Sequence, residues 1–277
     1  MRQAVSAGAT AIELDVHASA DGELVVCHDP TVDRTTNASG RIADLTLLDL
    51  KDLDNAYWFI PGADVTPGLP ESQYPFRGRA KSDADFRIAT LREVLQEFPD
   101  TVLNLDIKET SPEVEAYEEK LYELLVEFER KDDVIVASFL DRALDAFSAC
   151  SQGIPVAAGL METANFWSAV KSGDEPPEVR GVAFQVPERQ GDLVVVDERF
   201  VREAHRQGVA VHVWTVNDAE SMERLLALGV DGIITDVPTT LSGVLLKSQS
   251  GWAGLKRGIN DERSDKSSSR HARDVID

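Results

Sequence analysis

The sequence predicts an α/β protein with a TIM-type (β/α)8 barrel fold. Short apolar runs rich in β-branched residues alternate with amphipathic helical segments, a pattern typical of parallel strands buried on both faces. Gly8, Gly208 and Gly229 stand between a helical segment and the next apolar run, where a left-handed residue commonly ends a helix. The number of strand-helix units favours a closed barrel over an open sheet.

Seven segments are predicted to be buried strands. They span residues 11–16, 101–107, 134–139, 155–160, 181–186, 209–216 and 232–235. A closed barrel of this type has eight strands. Residues 2–7 resemble the C-terminal end of a helix, and the first apolar run follows them directly. We therefore expect the barrel to lack its first β-strand.

Two helix starts carry local signals. Thr90 and Glu93 have the spacing of a capping box, in which each side chain bonds the backbone N–H of the other residue. Ser111, followed by a proline and a glutamate, predicts an N-cap with an acidic first turn. The apolar stripe that follows at helical spacing continues to Phe128 and predicts one amphipathic helix.

One barrel domain is predicted over residues 1–246. Residues 57–85 interrupt its pattern with four prolines, several glycines and no clear period. A connection of this length predicts a functional insertion over one face of the barrel. Residues 247–277 are rich in Ser, Lys, Arg and Asp, which predicts a disordered tail.

Composition excludes several classes of function. The 277 residues include 28 Lys and Arg against 49 Asp and Glu, a formal net charge of −21, which disfavours nucleic acid and anionic membranes as partners. A phosphate-bearing small-molecule substrate would need a local cation. Two cysteines and no apolar run long enough to span a bilayer predict a cytoplasmic protein without disulfides. The oligomeric state is left open.

Glu13 and Asp15 lie at the end of the first predicted strand. Side chains two residues apart share a face of a strand, so both carboxylates point the same way. Two carboxylates on one face repel unless a cation or a proton lies between them. Active sites of these barrels lie at the carboxyl ends of the strands, where Glu13 and Asp15 fall.

A histidine is predicted beside this carboxylate pair. Asp21 and Gly22 form a strong hairpin signal, followed by an alternating run and then His28. If Asp21 and Gly22 are the two turn residues, counting outward places Asp15 opposite His28 on the neighbouring strand. His28 would then be an acid/base group next to a metal. The remaining histidines are interpreted as structural or surface residues.

A further strand, residues 103–108, alternates polar and apolar residues where a buried strand should be apolar throughout. Asp106 and Lys108 share its polar face and are expected to point into the barrel mouth. Asp106 would add a third carboxylate, which favours a hard cation such as Mg²⁺ or Ca²⁺ over Zn²⁺, and Lys108 a positive charge for phosphate. Trp214 ends another strand, where a core position and a pocket wall are equally compatible with the pattern.

Taken together, the motifs resemble those of the glycerophosphodiester phosphodiesterase family, which has a phospholipase C-like (PLC-like) phosphodiesterase barrel. The resemblance covers about residues 1–245. The matching motifs are Gly8-Ala9, Ile12-Glu13-Leu14-Asp15-Val16, Asp21-Gly22, His28-Asp29 with Arg34-Thr35-Thr36, residues 103–108, Ser138-Phe139, Trp214-Thr215-Val216-Asn217 and residues 229–236.

The resemblance implies a role for each candidate residue. The metal ligands would be Glu13, Asp15 and Asp106, and His28 would be one of two catalytic histidines. Lys108 would hold the phosphate, and Trp214 would line the glycerol pocket. The expected reaction is divalent-metal-dependent hydrolysis of a glycerophosphodiester to sn-glycerol 3-phosphate and an alcohol.

The sequence departs from the family pattern in two places. The His-Arg-Gly motif of the opening strand and the Glu-Asn-Thr helix start that follows it are not found in this sequence, so one histidine and one phosphate-contacting arginine are missing. Position 106 is Asp where the family commonly has Glu. One alternative is therefore a truncated, non-catalytic member that binds metal and phosphodiester. A Lys108 Schiff-base aldolase is a second alternative, disfavoured because the acidic neighbours would keep the lysine charged.

Overall fold

The computed structural model describes residues 1–63 and 65–248. Its parallel strands form one curved, hydrogen-bonded series. The parallel strands are β1 (Ala11–Ala18), β3 (Val102–Ile107), β4 (Val134–Ala137), β5 (Ala183–Pro187), β8 (Ala210–Trp214) and β9 (Gly232–Ile233). Strands β6 (Arg189–Gln190) and β7 (Leu193–Val194) form a separate antiparallel pair. Their spatial order is β1-β3-β4 in one sheet and β5-β8-β9 in another. A short extended segment around Val156 joins the two sheets, because Val136 N–H donates to Pro155 O and Val182 N–H to Val156 O.

The α/β-barrel prediction is confirmed, with one predicted strand much shorter than expected. The segment 155–160 pairs with β4 through a single bridge between Val136 and Val156. It ends early because Gly159 is already the N-cap of a helix that begins at Leu160. Within the described residues, no strand lies between β9 and β1, so these two strands are the ends of the parallel arc.

Helices cover the outer face of this sheet. The helices are α1 (Arg2–Ser6), α2 (Leu47–Asp52), α3 (Leu91–Glu97), α4 (Glu118–Glu127), α5 (Asp141–Cys150), α6 (Leu160–Ser172), α7 (Glu198–Arg206), α8 (Ala219–Leu228) and α9 (Pro238–Lys247). The alternating residues Ile12, Leu14 and Val16 of β1 are buried in the apolar layer between sheet and helices. The intervening residues, Glu13 and Asp15, therefore face the barrel interior.

The capping box at Thr90 is confirmed, since the Thr90 hydroxyl accepts from Glu93 N–H and the Glu93 carboxylate accepts from Thr90 N–H. The predicted helix start at Ser111 is wrong. The N–H groups of Glu113 and Val114 both donate to Thr110 O, which closes a turn, and α4 begins at Glu118. Local capping signals at Ser111 are outweighed by this turn.

The hairpin between β1 and β2 (Leu24–Val26) has a different register from the predicted one. Ala18 pairs with Leu24, and Ser19 N–H donates to Glu23 O, so three residues rather than two connect the strands. Asp15 consequently lies opposite Cys27, whose N–H donates to Asp15 O at 3.1 Å. The prediction that Asp15 faces His28 is therefore wrong by one residue. A one-residue shift moves a side chain to the other face of a strand.

Among its described residues, the insertion at 57–85 contains only short 3-10 turns, at Glu71–Gln73, Arg79–Lys81 and, overlapping its end, Ala84–Phe86. The Arg77 guanidinium carbon lies 4.1 Å from the ring centroids of both Tyr57 and Tyr74, and Arg77 Nε donates to Tyr57 O at 3.1 Å. These contacts of Arg77 join the start of the insertion to its middle.

The structure describes only the first two residues of the predicted tail at 247–277, and the rest of the tail, after Ser248, lies outside the described residues. Of the helices in the described ranges, none is both long enough and apolar enough to cross a bilayer. The cellular location stays a prediction.

Candidate active site

Three carboxylates from two neighbouring strands meet inside the barrel. Strands β1 and β3 are parallel, and their register places Asp15 beside Asp106 and Glu13 beside Asn104. One carboxylate oxygen from each of Glu13, Asp15 and Asp106 lies within 4.8 Å of the others. Side chains two residues apart share a face of a strand, and this alternation, predicted from the sequence, brings together the three expected metal ligands.

Lys108 bridges two of these carboxylates. Its Nζ lies 3.0 Å from Asp15 Oδ1 and 3.1 Å from Asp106 Oδ2. Burial would lower the pKa of Lys108, but the charges and hydrogen bonds of Asp106 and Asp15 outweigh burial and raise it. Lys108 is therefore a fixed cation, available both to the carboxylates and to an anionic substrate.

One lysine does not neutralise the whole cluster. Burial, followed by the charges of Asp15 and Asp106, raises the pKa of Glu13 to about 8. Burial also raises the pKa of Asp106, although Lys108 opposes this shift. At neutral pH the cluster thus retains a proton on Glu13 unless a further cation binds.

The donor set fits a hard divalent cation. Asp106 Oδ1 is buried and has no hydrogen-bond partner among the described residues, which is costly for an atom of a carboxylate unless a cation satisfies it. Three carboxylates without a cysteine or histidine among them match the oxygen ligands preferred by Mg²⁺ and Ca²⁺. The residues that would hold such an ion are Glu13, Asp15 and Asp106.

His28 lies just after β2 as an exposed side chain. Its Nδ1 is 2.7 Å from Asp29 Oδ1, and 68% of the His28 side chain is exposed. Arg34 in turn donates to both oxygens of Asp29, at 2.6 and 3.0 Å. The hydrogen bond from Arg34, together with that from His28, lowers the pKa of Asp29 to about 2. An ionised Asp29 favours the His28 tautomer that is protonated at Nδ1 and leaves Nε2 free to exchange a proton.

Trp214 lies at the carboxyl end of β8, and its ring packs edge-to-face against Phe139 at a centroid distance of 5.6 Å. Phe139 follows β4, and Lys108 Nζ lies 5.9 Å from its ring centroid. Trp214 and Phe139 therefore form an aromatic wall beside the lysine. Trp214 is half-buried and is not one of the buried core residues, and its place in a pocket wall stays a prediction.

The interpretation of His17 as a structural or surface residue did not include its carboxylate partner, Glu109. This side chain is buried, its Nδ1 lies 3.0 Å from Glu109 Oε2, and Arg41 Nη2 donates to Glu109 Oε1 at 3.0 Å. The sequence does indicate the face on which His17 lies. His17 is two residues beyond Asp15, so it shares the face of the strand that carries Glu13 and Asp15. Its partner Glu109 comes from a different strand end, which no local pattern reveals.

Comparisons with known proteins identify the family of this chain. The sequence model described as the Glycerophosphoryl diester phosphodiesterase family matches residues 1–240. A glycerophosphodiester phosphodiesterase of Caldanaerobacter subterraneus subsp. tengcongensis is 32% identical over 252 residues, covering 89% of this chain and 90% of that protein. A glycerophosphodiester phosphodiesterase of Bacillus subtilis is 31% identical over 234 residues, covering 82% of this chain and 73% of that protein.

Solved structures share the fold. A glycerophosphoryl diester phosphodiesterase domain from Mycobacterium tuberculosis superposes with a TM-score of 0.71 at 20% identity, covering 88% of this chain and 91% of that one. An Oleispira antarctica phosphodiesterase, solved in complex with the product sn-glycerol-3-phosphate, gives a TM-score of 0.61 at 22% identity, covering 87% and 86%.

The fold and the site thus define a protein of the TIM-barrel phosphodiesterase class, with three carboxylates and a lysine brought together by two neighbouring parallel strands. The chain belongs to the glycerophosphoryl diester phosphodiesterase family, whose enzymes are phosphoric diester hydrolases.

Proposed function

We propose that this protein hydrolyses glycerophosphodiesters to sn-glycerol 3-phosphate and an alcohol, with Mg²⁺ or Ca²⁺ held by Glu13, Asp15 and Asp106. The observation that carries the proposal is the convergence of these carboxylates within 4.8 Å, with Asp106 Oδ1 buried and without a hydrogen-bond partner in the part of the chain that the structure describes. The named activities of the bacterial relatives and the product found with the Oleispira enzyme support the choice of substrate.

Lys108 and the aromatic wall would bind the substrate. The raised pKa of Lys108 keeps its ammonium charged, so it would attract a phosphoryl oxygen. Trp214 and Phe139 would contact the glycerol carbons beside that phosphate. The bound cation would polarise the phosphoryl oxygens and stabilise the charge that develops on them.

His28 would transfer a proton as general acid or base. Its exposed ring and the bond from Nδ1 to Asp29 leave Nε2 for the reacting oxygen. Asp29 and Arg34 would act as positioning residues, since they hold the ring in one orientation. The non-catalytic alternative rests on the His-Arg-Gly motif of the family pattern, which is not found in this sequence.

The reaction is tested with glycerophosphocholine as substrate. We expect release of sn-glycerol 3-phosphate in the presence of Mg²⁺ or Ca²⁺, loss of activity with a chelator, and recovery when either ion is restored. Binding of the ion without any release of product under these conditions would favour the non-catalytic alternative.

Asp29→Asn tests the positioning of His28. The amide no longer fixes the Nδ1–H tautomer through a charged bond, so kcat should fall roughly a hundredfold, the order expected for a misplaced catalytic group. The KM should change little, because Asp29 does not contact the metal ligands. Steady-state kinetics with glycerophosphocholine measure both constants. Asp44→Asn, an exposed aspartate later in the chain, is the matched control, and an equal fall in both variants would contradict the assignment.

The insertion at 57–85 is proposed to influence substrate choice rather than folding. Within it, Tyr74 and Ala80 are the hydrophobic side chains that the structure shows as buried, so its contribution to the main core is small. Replacing the segment with a short Gly/Ser linker should leave the Tm nearly unchanged and alter kcat/KM among phosphodiesters with different alcohols. A large fall in Tm with unchanged selectivity would assign the segment to folding instead.

A further inference from the structure

The loop at 28–41, which we call the histidine loop because it begins with His28, is tied to the end of β3 by three side chains. His17 Nδ1 lies 3.0 Å from Glu109 Oε2, and Arg41 Nη2 donates to Glu109 Oε1 at 3.0 Å. One carboxylate oxygen therefore bonds β1, and the other bonds the far end of the histidine loop. These three side chains are the Glu109 link.

Arg41 is joined through the backbone to the start of the histidine loop. Thr31 and Arg41 form an antiparallel bridge, and Ile42 N–H donates to Pro30 O at 3.0 Å. Pro30 is only two residues beyond His28. An anchor on the Arg41 side chain therefore also restrains the backbone at His28.

His17 is the buried member of the Glu109 link and is 1% exposed. Burial lowers the pKa of His17, and the Glu109 carboxylate and the backbone of His28 oppose this shift. The ring is thus close both to Glu109 and to the backbone of the histidine loop. A neutral ring that bonds a carboxylate through Nδ1 carries its proton on that nitrogen, so Glu109 fixes the tautomer and the orientation of His17.

The opposite side of the histidine loop is held by the segment before the insertion. Thr35 Oγ1 donates to Asn55 Oδ1 at 2.7 Å, and Asp54 N–H donates to Asn37 Oδ1 at 2.9 Å. These bonds and the hairpin of β1 and β2 remain when the Glu109 link is broken. A variant of the link should therefore move or loosen the histidine loop rather than unfold the protein.

We propose that His17, together with Glu109 and Arg41, positions His28 relative to Lys108, so that a phosphodiester held by Lys108 lies within reach of the His28 ring. This inference rests on the proposed function, in which Lys108 binds the phosphate and His28 transfers a proton. His17 itself touches neither the substrate nor the reacting atoms in this assignment. Proton transfer requires hydrogen-bond distance, so a small displacement of His28 lowers kcat while substrate binding is retained.

His17→Leu tests the positioning role, because leucine is a buried side chain of similar size without ring nitrogens. We expect kcat for glycerophosphocholine, with saturating Mg²⁺ or Ca²⁺, to fall about a hundredfold with little change in KM. His17→Asn keeps an N–H donor on the γ carbon, where Nδ1 is attached, and should retain most of the kcat. An equal fall in both variants would contradict a role of the Nδ1 bond to Glu109.

A double-mutant cycle distinguishes positioning from a purely structural role. His28→Gln removes the proton-transfer group and should by itself lower kcat by about 10²–10⁴-fold. Because His17 would act through His28, adding His17→Leu to this variant should lower kcat no further. A double variant that shows the product of the two single effects would overturn the proposal.

Hydrogen exchange of the metal-free protein tests the Glu109 link without an activity assay. Arg41→Gln removes the charged partner, and exchange at the amides of Val32 and Ile42 should become about tenfold faster, the size expected for one lost hydrogen bond to a charged group. Arg92→Gln is the matched control, because Arg92 is 45% exposed against 43% for Arg41 and pairs with Glu127 between α3 and α4. The control should leave both exchange rates unchanged.

The outcomes separate this inference from the proposed function. No release of sn-glycerol 3-phosphate by the unmodified protein would overturn the proposed function, and the catalytic role of the link with it. Release by the unmodified protein, combined with unchanged exchange in Arg41→Gln, would overturn the link alone. A fall in Tm of His17→Leu without any fall in kcat would also overturn the positioning role and would assign the link to folding.

Discussion

Asp15→Asn is expected to abolish the binding of one divalent cation and to reduce turnover by about three orders of magnitude, since a bound cation contributes several kcal/mol to stabilising the transition state. Asp15 lies between Glu13 on its own strand and Asp106 on the next, within 4.8 Å of both. An amide removes one negative charge and one strong oxygen ligand from this centre. Calorimetric titration with Mg²⁺ and Ca²⁺, together with assay of sn-glycerol 3-phosphate release, measures the two effects.

Asp132→Asn is the matched control for this change. Asp132 is an exposed carboxylate just before β4, at the amino end of the strands and therefore opposite the site. Its variant should bind the ion and turn over like the unmodified protein. Equal ion binding by the Asp15 variant and the unmodified protein would show that the carboxylate cluster is not the metal site.

The affinity for the cation should increase about tenfold per pH unit between pH 6 and 7, and level off above about pH 8. Glu13 has a pKa of about 8 in the metal-free protein, so it is mostly protonated below that pH. A ligand must be deprotonated, and binding therefore releases this proton. Titrations in buffers of different ionisation enthalpy should detect close to one proton released per ion at pH 7.

The same group makes the stability of the metal-free protein depend on pH. The pKa of Glu13 is higher in the folded protein than in the unfolded chain, so the bound proton stabilises the fold at low pH. This stabilisation is lost as the pH rises from the unfolded value through about 8. The Tm should therefore fall over this interval without metal, and fall less with saturating metal. Glu13→Gln should remove the pH dependence of both measurements, whereas a dependence that persists in this variant would assign the proton to another group.

Local patterns in the sequence predicted much of this fold and of the carboxylate cluster. The alternation of Glu13 and Asp15 with buried neighbours, and of Asp106 and Lys108 with theirs, follows from the geometry of a strand alone. The capping box at Thr90 is equally local, since both partners lie within one helical turn. Such features depend on few neighbours, and tertiary structure leaves them unchanged.

The errors arose where a distant contact competes with a local preference. Asp21 and Gly22 suggested a two-residue turn, but the Asp21 carboxylate accepts from Leu47 N–H at the start of α2, and the connection has three residues. The helix expected at Ser111 is replaced by a turn on Thr110, whose hydroxyl bonds the buried Glu118. Neither Leu47 nor Glu118 is close enough in sequence to enter a turn or N-cap rule.

The sequence by itself determined that three carboxylates and a lysine face one barrel mouth, because strand periodicity and parallel strand order fix which side chains share a face. Only the tertiary structure decided how they are neutralised and what surrounds them. The bridge from Lys108 to both Asp15 and Asp106, the burial that raises the pKa of Glu13, and the contact of Phe139 with Trp214 all join different strands. Distances and burial of this kind depend on how the strands pack in three dimensions, which the order of residues along one strand does not specify.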